Sequence, residues 1–164
     1  MRFRDIRGRI CAELACVNIT AVWITAAICA ALGVVSFSWS GMSRVPYVYA
    51  PRAFWVGLFF LLFWALIGAS LALVLFSGKG AYRQYPCLLF VCALLLSYAW
   101  QPVVYRGASF FLGALLCAVC AVCLFFLSSV IRKRFFLSAA GAFLGALWLL
   151  YVLYYTIALA FLNG

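Results

Sequence analysis

Three of the chain's eight cysteines stand at intervals of three residues, in the segment CAVCAVC formed by Cys117, Cys120 and Cys123. That spacing matches part of an iron–sulfur ligand motif, in which cysteine thiolates hold the cluster. The segment, however, lies inside an uninterrupted apolar run, whereas ligand loops carry turn residues and a fourth cysteine close by. We therefore interpret these cysteines as small, polarizable residues that fill contacts between helices.

The residue types that most enzymes use for acid–base chemistry are almost missing. The chain contains no histidine, and its only acidic residues, Asp5 and Glu13, lie near the N-terminus. A Ser-His-Asp triad, a catalytic carboxylate pair and a histidine-based metal site are therefore excluded. No acidic side chain lies in the middle of an apolar run, which argues against an ion-coupled pump or exchanger.

Aromatic residues are the remaining side chains with a distinctive arrangement. They recur along the second apolar run, at the end of the third and along the fifth, as Phe54, Trp55, Phe60, Trp64, Tyr98, Trp100, Trp148, Tyr151, Tyr154 and Tyr155. Rings of this kind fill the cores and interfacial belts of membrane proteins, which is one interpretation. The other is a flat, mostly apolar cavity for a planar or polycyclic ligand.

The composition indicates the elements that must carry these residues. Hydrophobic residues make up 71% of the chain and charged residues 9%, whereas a soluble domain carries about 45–50% and about 25%. Five uncharged segments are each long enough to cross a bilayer as a helix. The sequence predicts an all-α membrane protein, a single domain over 1–164 with transmembrane helices near 14–37, 54–76, 86–104, 108–131 and 135–162.

The basic residues predict the orientation. Nine lie on the side of the N-terminus, after helix 2 or after helix 4, and three lie on the opposite side, at Arg44, Arg52 and Arg106. The positive-inside rule places the N-terminus in the cytoplasm and the C-terminus outside. The charge favours contact with anionic membrane lipid and does not indicate nucleic acid. The absence of a transit-like N-terminus favours a bacterial inner membrane.

Small residues in the last helix allow a close helix contact. Gly141 and Gly145 form a GxxxG motif, which serves either a homodimer or packing within the bundle. This motif supports the second functional hypothesis, a structural or scaffolding membrane subunit that binds no ligand.

The order of the aromatic residues and prolines resembles the TspO/MBR family (translocator protein, tryptophan-rich sensory protein). Its members are five-helix membrane proteins of about this length. The matching positions are Pro51, Phe54, Phe60, Trp64 and Gly68 around helix 2, Trp100 and Pro102 at the end of helix 3, and Trp148, Tyr151, Leu162 and Asn163 in helix 5. Phe54 and Phe60 stand at the family's spacing but replace its tryptophans, and the sequence also departs from the family pattern at Arg52, Ala93, Ser97, Leu144, Gly145 and Thr156.

The resemblance implies a function and a set of site residues. The family binds tetrapyrroles such as haem and protoporphyrin, and also sterols, in a pocket within the bundle under the first loop. Transport, stress sensing and porphyrin photodegradation have been attributed to it, although missing acids and bases make an enzyme the weaker expectation here. No cofactor is required, and porphyrin or haem would bind as a ligand by burial and stacking.

Carried over residue by residue, the resemblance implies that Phe54 and Trp148 sandwich a hydrophobic ligand. Ser97 stands where the family has Asn and would donate one hydrogen bond. The remaining expected ligand-binding residues are Trp100 and Tyr151 in the pocket, and Tyr49 and Pro51 at its lid.

Overall fold

The computed structural model describes residues 8, 10, 11, 13–15, 17–40, 53–77, 80–107 and 109–163, with the backbone alone described at 53, 54, 80, 81, 162 and 163. Five long helices account for most of these ranges: α1 Ile19–Ser40, α2 Ala53–Leu75, α3 Gln84–Gln101, α4 Phe110–Ile131 and α5 Phe136–Asn163. A 3-10 turn over Gly80–Arg83 precedes α3, and a π-helical turn over Pro102–Arg106 follows it. The described ranges contain no strand.

Each of the five helices is long and apolar enough to cross a bilayer, if α3 is counted through Arg106. A rise of about 1.5 Å per residue carries roughly 20 residues across a hydrocarbon core about 30 Å thick. A helix also satisfies its own backbone polar groups, which is the condition that a bilayer imposes. The prediction of an all-α protein with five transmembrane helices in one bundle is confirmed, and the architecture fits an integral multi-pass membrane protein.

The helices close a ring in the order α1, α2, α5, α4, α3 and back to α1. The contacts between α4 and α5 and between α1 and α2 are the most extensive. Helix α2 also contacts α3 across the ring and is the most buried of the five, whereas α1 is the least buried. Helix α2 therefore has neighbours on three sides, and its aromatic side chains fill the centre of the bundle.

Helix α1 begins at Ile19, not at Leu14 as expected from the apolar run. Asn18 explains the difference because its Oδ1 accepts hydrogen bonds from the backbone N–H groups of Thr20, at 3.0 Å, and Ala21, at 3.4 Å. A side-chain oxygen in this position satisfies donors that the first turn of a helix leaves unpaired.

Helix α3 ends at Gln101, and the chain continues from Pro102 to Arg106 as a π-helical turn. Proline has no N–H, so the carbonyl of Tyr98, four residues earlier, loses its helical donor. The hydroxyl of Ser36 on α1 donates to that carbonyl at 2.7 Å. The Tyr98 hydroxyl in turn donates to the carbonyl of Cys29 at 2.7 Å, so two hydrogen bonds join α1 to α3.

The GxxxG motif of α5 packs against α2 within the chain. A Cβ atom at Gly141 would collide with Ser70 Oγ, and one at Gly145 would collide with the side chain of Ile67. One turn earlier, the Ser138 hydroxyl donates to the Ser70 carbonyl at 2.9 Å. Close packing of α5 on α2 accounts for the motif, which therefore carries no argument for a second chain.

The cysteines of α4 also serve contacts between helices. Cys117 and Cys120 are buried, and the Cys120 thiol donates to the Ala93 carbonyl of α3 across 3.4 Å. Within the described part of the chain, no group of three or more His, Cys, Asp and Glu side chains has a metal-binding arrangement. The burial of Cys117 and Cys120 and the contact of Cys120 with α3 agree with the interpretation of these cysteines as packing residues.

Glu13 has a structural role that its sequence position does not reveal. Its side chain is buried, and Oε2 accepts a hydrogen bond from the backbone N–H of Leu137 at 3.0 Å. Leu137 lies in the first turn of α5, where unpaired N–H groups and the helix dipole favour a negative charge. One of the two acidic residues of the chain thus ties the N-terminal segment to α5.

Candidate functional site

An aromatic cleft lies between α2 and α5. Its volume is about 80 Å³, and four residues of each helix line it. From α2 these are Trp55, Val56, Phe59 and Phe60, and from α5 they are Trp148, Tyr151, Val152 and Tyr155. The α2 residues follow the spacing i, i+1, i+4, i+5, and the α5 residues follow the spacing i, i+3, i+4, i+7. Each set therefore lies on one face of its helix. We refer to these eight residues as the aromatic cleft.

Trp148 is the centre of the aromatic contacts in the cleft. Its ring centroid lies 5.4 Å from that of Phe59, 5.8 Å from that of Phe60 and 5.3 Å from that of Tyr151. The Phe60 contact is edge-to-face at 83°, and the other two are tilted. Tyr151 and Trp55 are 55% and 51% exposed, so the cleft opens on the outer surface of the bundle.

The indole N–H of Trp148 is buried and has no hydrogen-bond acceptor. Leaving a buried donor unpaired costs about 1–3 kcal/mol. A ligand with a carbonyl, carboxylate or ring nitrogen would remove that cost by accepting from the indole. Because Trp148 lines the cleft, its unpaired donor is an observation that favours a ligand there.

Ser97 lies in the interior, at the centre of a hydrogen-bonded contact between α3 and α2. Its hydroxyl accepts from the indole N–H of Trp64 at 3.1 Å and donates to the Leu94 carbonyl at 2.7 Å. In this arrangement the hydroxyl hydrogen is already used within α3. The expected hydrogen bond from Ser97 to a ligand would require that this bond be exchanged.

Trp100 also lies in the interior, behind Phe60. The two rings stack with centroids 5.2 Å apart and planes at 24°, and the Trp100 indole donates to Thr156 Oγ1 at 3.2 Å. The gap between Phe60, Ser97, Trp100 and Cys117 is too tight to hold a water molecule. Phe60 therefore separates the closed interior around Ser97 and Trp100 from the aromatic cleft around Trp148.

Of the expected ligand-binding residues, the structure brings Trp148 and Tyr151 together in the aromatic cleft and places Ser97 and Trp100 in the adjoining interior. Tyr49, Pro51 and the side chain of Phe54 lie outside the described residues. The expected sandwich of Trp148 and Phe54 remains a prediction. Phe59 is the described α2 residue whose ring lies against Trp148 with a partly exposed face.

Gln101 is the residue that sequence reasoning missed. Its side chain is fully buried, and neither Nε2 nor Oε1 has a hydrogen-bond partner. It follows Ser97 by four residues on α3, so the two share a helix face. The sequence does contain a signal for this residue, because it is a single carboxamide at the end of an apolar run. A buried amide normally has hydrogen-bond partners, so a carboxamide at such a position marks a polar group that needs them.

No family model, curated protein or solved structure matches the chain.

Proposed function

We propose that this chain is a TspO-like membrane protein that binds a flat, hydrophobic ligand at the aromatic cleft between α2 and α5. The observation that carries the proposal is the buried, unpaired indole N–H of Trp148 within a wall of aromatic rings. Rings supply stacking and burial without requiring polar partners, and one donor orients the ligand. Tetrapyrroles and sterol-like compounds are the ligand classes, and transport or stress sensing is the proposed use.

The ligand enters from the bilayer and widens the cleft. Small-molecule sites have volumes of about 300–1,000 Å³, whereas the cleft measures about 80 Å³. Phe59 and Tyr151 stand on the open side of the cleft and are 47% and 55% exposed, so their rings can turn outward without unpacking the core. The edge of a planar ring system then inserts between α2 and α5 against Trp148.

Binding in this proposal depends on burial and stacking. The proposal assigns no protein ligand to haem iron, and the chain has no histidine, so protoporphyrin and haem are expected to bind with similar affinity. We further propose that the protein lies in a bacterial inner membrane, with its N-terminus in the cytoplasm and its C-terminus outside. A reporter enzyme that is active only outside the cytoplasm, fused after Asn163, should therefore be active.

Titration of the purified protein with protoporphyrin IX, followed by porphyrin absorbance, tests the proposal. Wild-type protein should bind saturably. Trp148→Phe keeps an aromatic ring but removes the N–H, and it should weaken binding roughly fivefold to tenfold, as expected for loss of one hydrogen bond. Trp23→Phe is the control, because Trp23 lies on α1, is 72% exposed and is not part of the cleft.

The proposal fails if wild-type protein shows no saturable binding. It also fails if Trp148→Phe and Trp23→Phe bind with the same affinity as the wild type, because the unpaired indole would then have no part in recognition.

A further inference from the structure

The unpaired indole N–H of Trp148 belongs to a residue near the middle of its membrane span. The apolar span of α5 runs from Phe136 to Phe161, so Trp148 is twelve residues from one end and thirteen from the other. A rise of about 1.5 Å per residue places it roughly 18 Å and roughly 20 Å from these two ends. The indole therefore offers its hydrogen bond at the depth of the hydrocarbon core, away from the lipid headgroups.

The two helices that form the aromatic cleft carry no charged side chain. None of the eight lining residues is charged, and neither Ala53–Leu75 nor Phe136–Asn163 contains Asp, Glu, Lys or Arg. An ionised group is costly at the centre of a bilayer unless a partner or water accompanies it. A neutral acceptor therefore suits the Trp148 donor better than a carboxylate does.

The rings beside Trp148 favour an acceptor that is attached to a flat ring. Phe59 and Tyr151 have ring centroids 5.4 Å and 5.3 Å from that of Trp148, and each is tilted by 32°. Aromatic side chains of this kind stack on planar surfaces, whereas the indole N–H donates in the plane of its own ring. A carbonyl on a ring meets both conditions, because its oxygen projects from the ring edge while the ring faces remain free to stack.

The size and opening of the cleft favour a small ring with an apolar tail. The cleft volume is about 80 Å³, and its open side is marked by the exposed rings of Trp55 and Tyr151. An apolar cavity of about 150 Å³ holds benzene, so a single ring enters this cleft after modest widening. The rest of such a ligand lies outside the cleft, where an apolar spanning helix meets the bilayer.

We propose that the aromatic cleft binds a lipid-soluble quinone. A quinone has carbonyl oxygens on a flat, uncharged ring, and an apolar tail keeps it in the bilayer. One carbonyl accepts from the Trp148 indole, the ring lies against Phe59 and Tyr151, and the tail leaves the cleft on its open side. This inference rests on the ligand site of the proposed function and adds a ligand class to the tetrapyrroles and sterols.

Two compounds with the same carbon framework test the assignment. They are 2,3-dimethyl-1,4-naphthoquinone and 2,3-dimethylnaphthalene, which lacks the carbonyls. The two methyl groups leave no open quinone position for thiol addition, which matters because the chain has eight cysteines. Calorimetric titration of the full chain in detergent, corrected for partitioning into empty micelles, gives both affinities. Wild-type protein should bind the quinone roughly fivefold to tenfold more tightly, as expected for one hydrogen bond.

Trp148→Phe separates the hydrogen bond from stacking. It should weaken quinone binding roughly fivefold to tenfold and change the affinity for dimethylnaphthalene by less than about twofold. Trp23→Phe, at a 72% exposed position on α1, should change neither affinity. The infrared carbonyl stretch of the bound quinone should lie at lower wavenumber in the wild type than in Trp148→Phe, because a hydrogen bond weakens the C=O bond.

An equal loss of affinity for both compounds in Trp148→Phe would overturn the assignment, because stacking alone would then explain binding. The same carbonyl frequency in the wild type and Trp148→Phe would overturn it as well. Tighter binding of 2-naphthoate than of the quinone at neutral pH would replace the neutral acceptor with a charged one and contradict the inference.

Protoporphyrin IX distinguishes this inference from the proposed function. If protoporphyrin binds in a Trp148-dependent manner and the quinone does not bind, the quinone assignment fails and the ligand site stands. If neither compound binds, the ligand site itself fails. Binding of the quinone without binding of protoporphyrin would support the quinone assignment and contradict a tetrapyrrole ligand.

Discussion

Trp100 and Trp148 have the same side chain but different hydrogen-bonding states. The Trp100 indole is buried and donates to Thr156, whereas the buried indole of Trp148 has no acceptor. A paired donor contributes to packing alone, while an unpaired donor is retained at a cost of about 1–3 kcal/mol. This difference favours Trp148 over Trp100 as the ligand donor in the proposed function, whereas the family resemblance implied that both bind ligand.

The unpaired carboxamide of Gln101 leads to a prediction about stability. Gln101→Met replaces an unpaired, buried carboxamide with an apolar chain of similar length, so the free energy of unfolding should rise by about 1–3 kcal/mol. Gln84→Met, at an exposed position, should change it by less than about 0.5 kcal/mol. Denaturant unfolding in detergent measures both. A lower stability of Gln101→Met would show that the amide has a partner in the folded protein.

Part of the lining of the cleft was anticipated. The family resemblance implied that Trp148 and Tyr151 share a pocket, and both residues line the aromatic cleft. The sequence did not predict that Phe60 would fill the space between them and Trp100. Periodicity identifies the residues that share a helix face, but the neighbour of that face depends on the tertiary arrangement.

The elements themselves followed closely from the positions of the charged residues, because charges are costly inside a bilayer. The ends were less predictable. The Asn18 side chain caps α1 with two hydrogen bonds, and the Ser36 hydroxyl donates to the Tyr98 carbonyl just before the π-helical turn that follows α3. A count of apolar residues does not register these side-chain hydrogen bonds.

The close contact between α5 and α2 leads to a second prediction about stability. Gly141→Val should lower the free energy of unfolding by about 1–3 kcal/mol because the added methyl groups collide with Ser70. Ala140→Val places the same side chain on an exposed position of the same turn and is the control. Thermal unfolding and the mass of the protein–detergent complex are measured together. An unchanged stability with an altered mass would instead support a dimer contact through this motif.

The order of helices around the bundle gives the molecule two separate regions. The aromatic cleft lies between α2 and α5, whose contact is fixed by the Gly141 and Gly145 seam. A second groove of about 470 Å³ lies where α3 begins and where α4 turns into α5, at the end of the bundle that carries most of the described basic residues. The order of the helices around the bundle was not predictable, because short connections fix only which helices are antiparallel.

Filling the aromatic cleft tests whether a ligand binds between α2 and α5. Val152 lines the cleft and is 2% exposed, so Val152→Phe should occupy the space that a ligand enters. We expect at least a tenfold weaker affinity for protoporphyrin IX, equivalent to about 1.4 kcal/mol of binding free energy. Val122→Phe makes the same exchange on α4 at a position that is 67% exposed, and it should bind like the wild type. Undiminished protoporphyrin binding by a folded Val152→Phe protein would contradict a ligand site between α2 and α5.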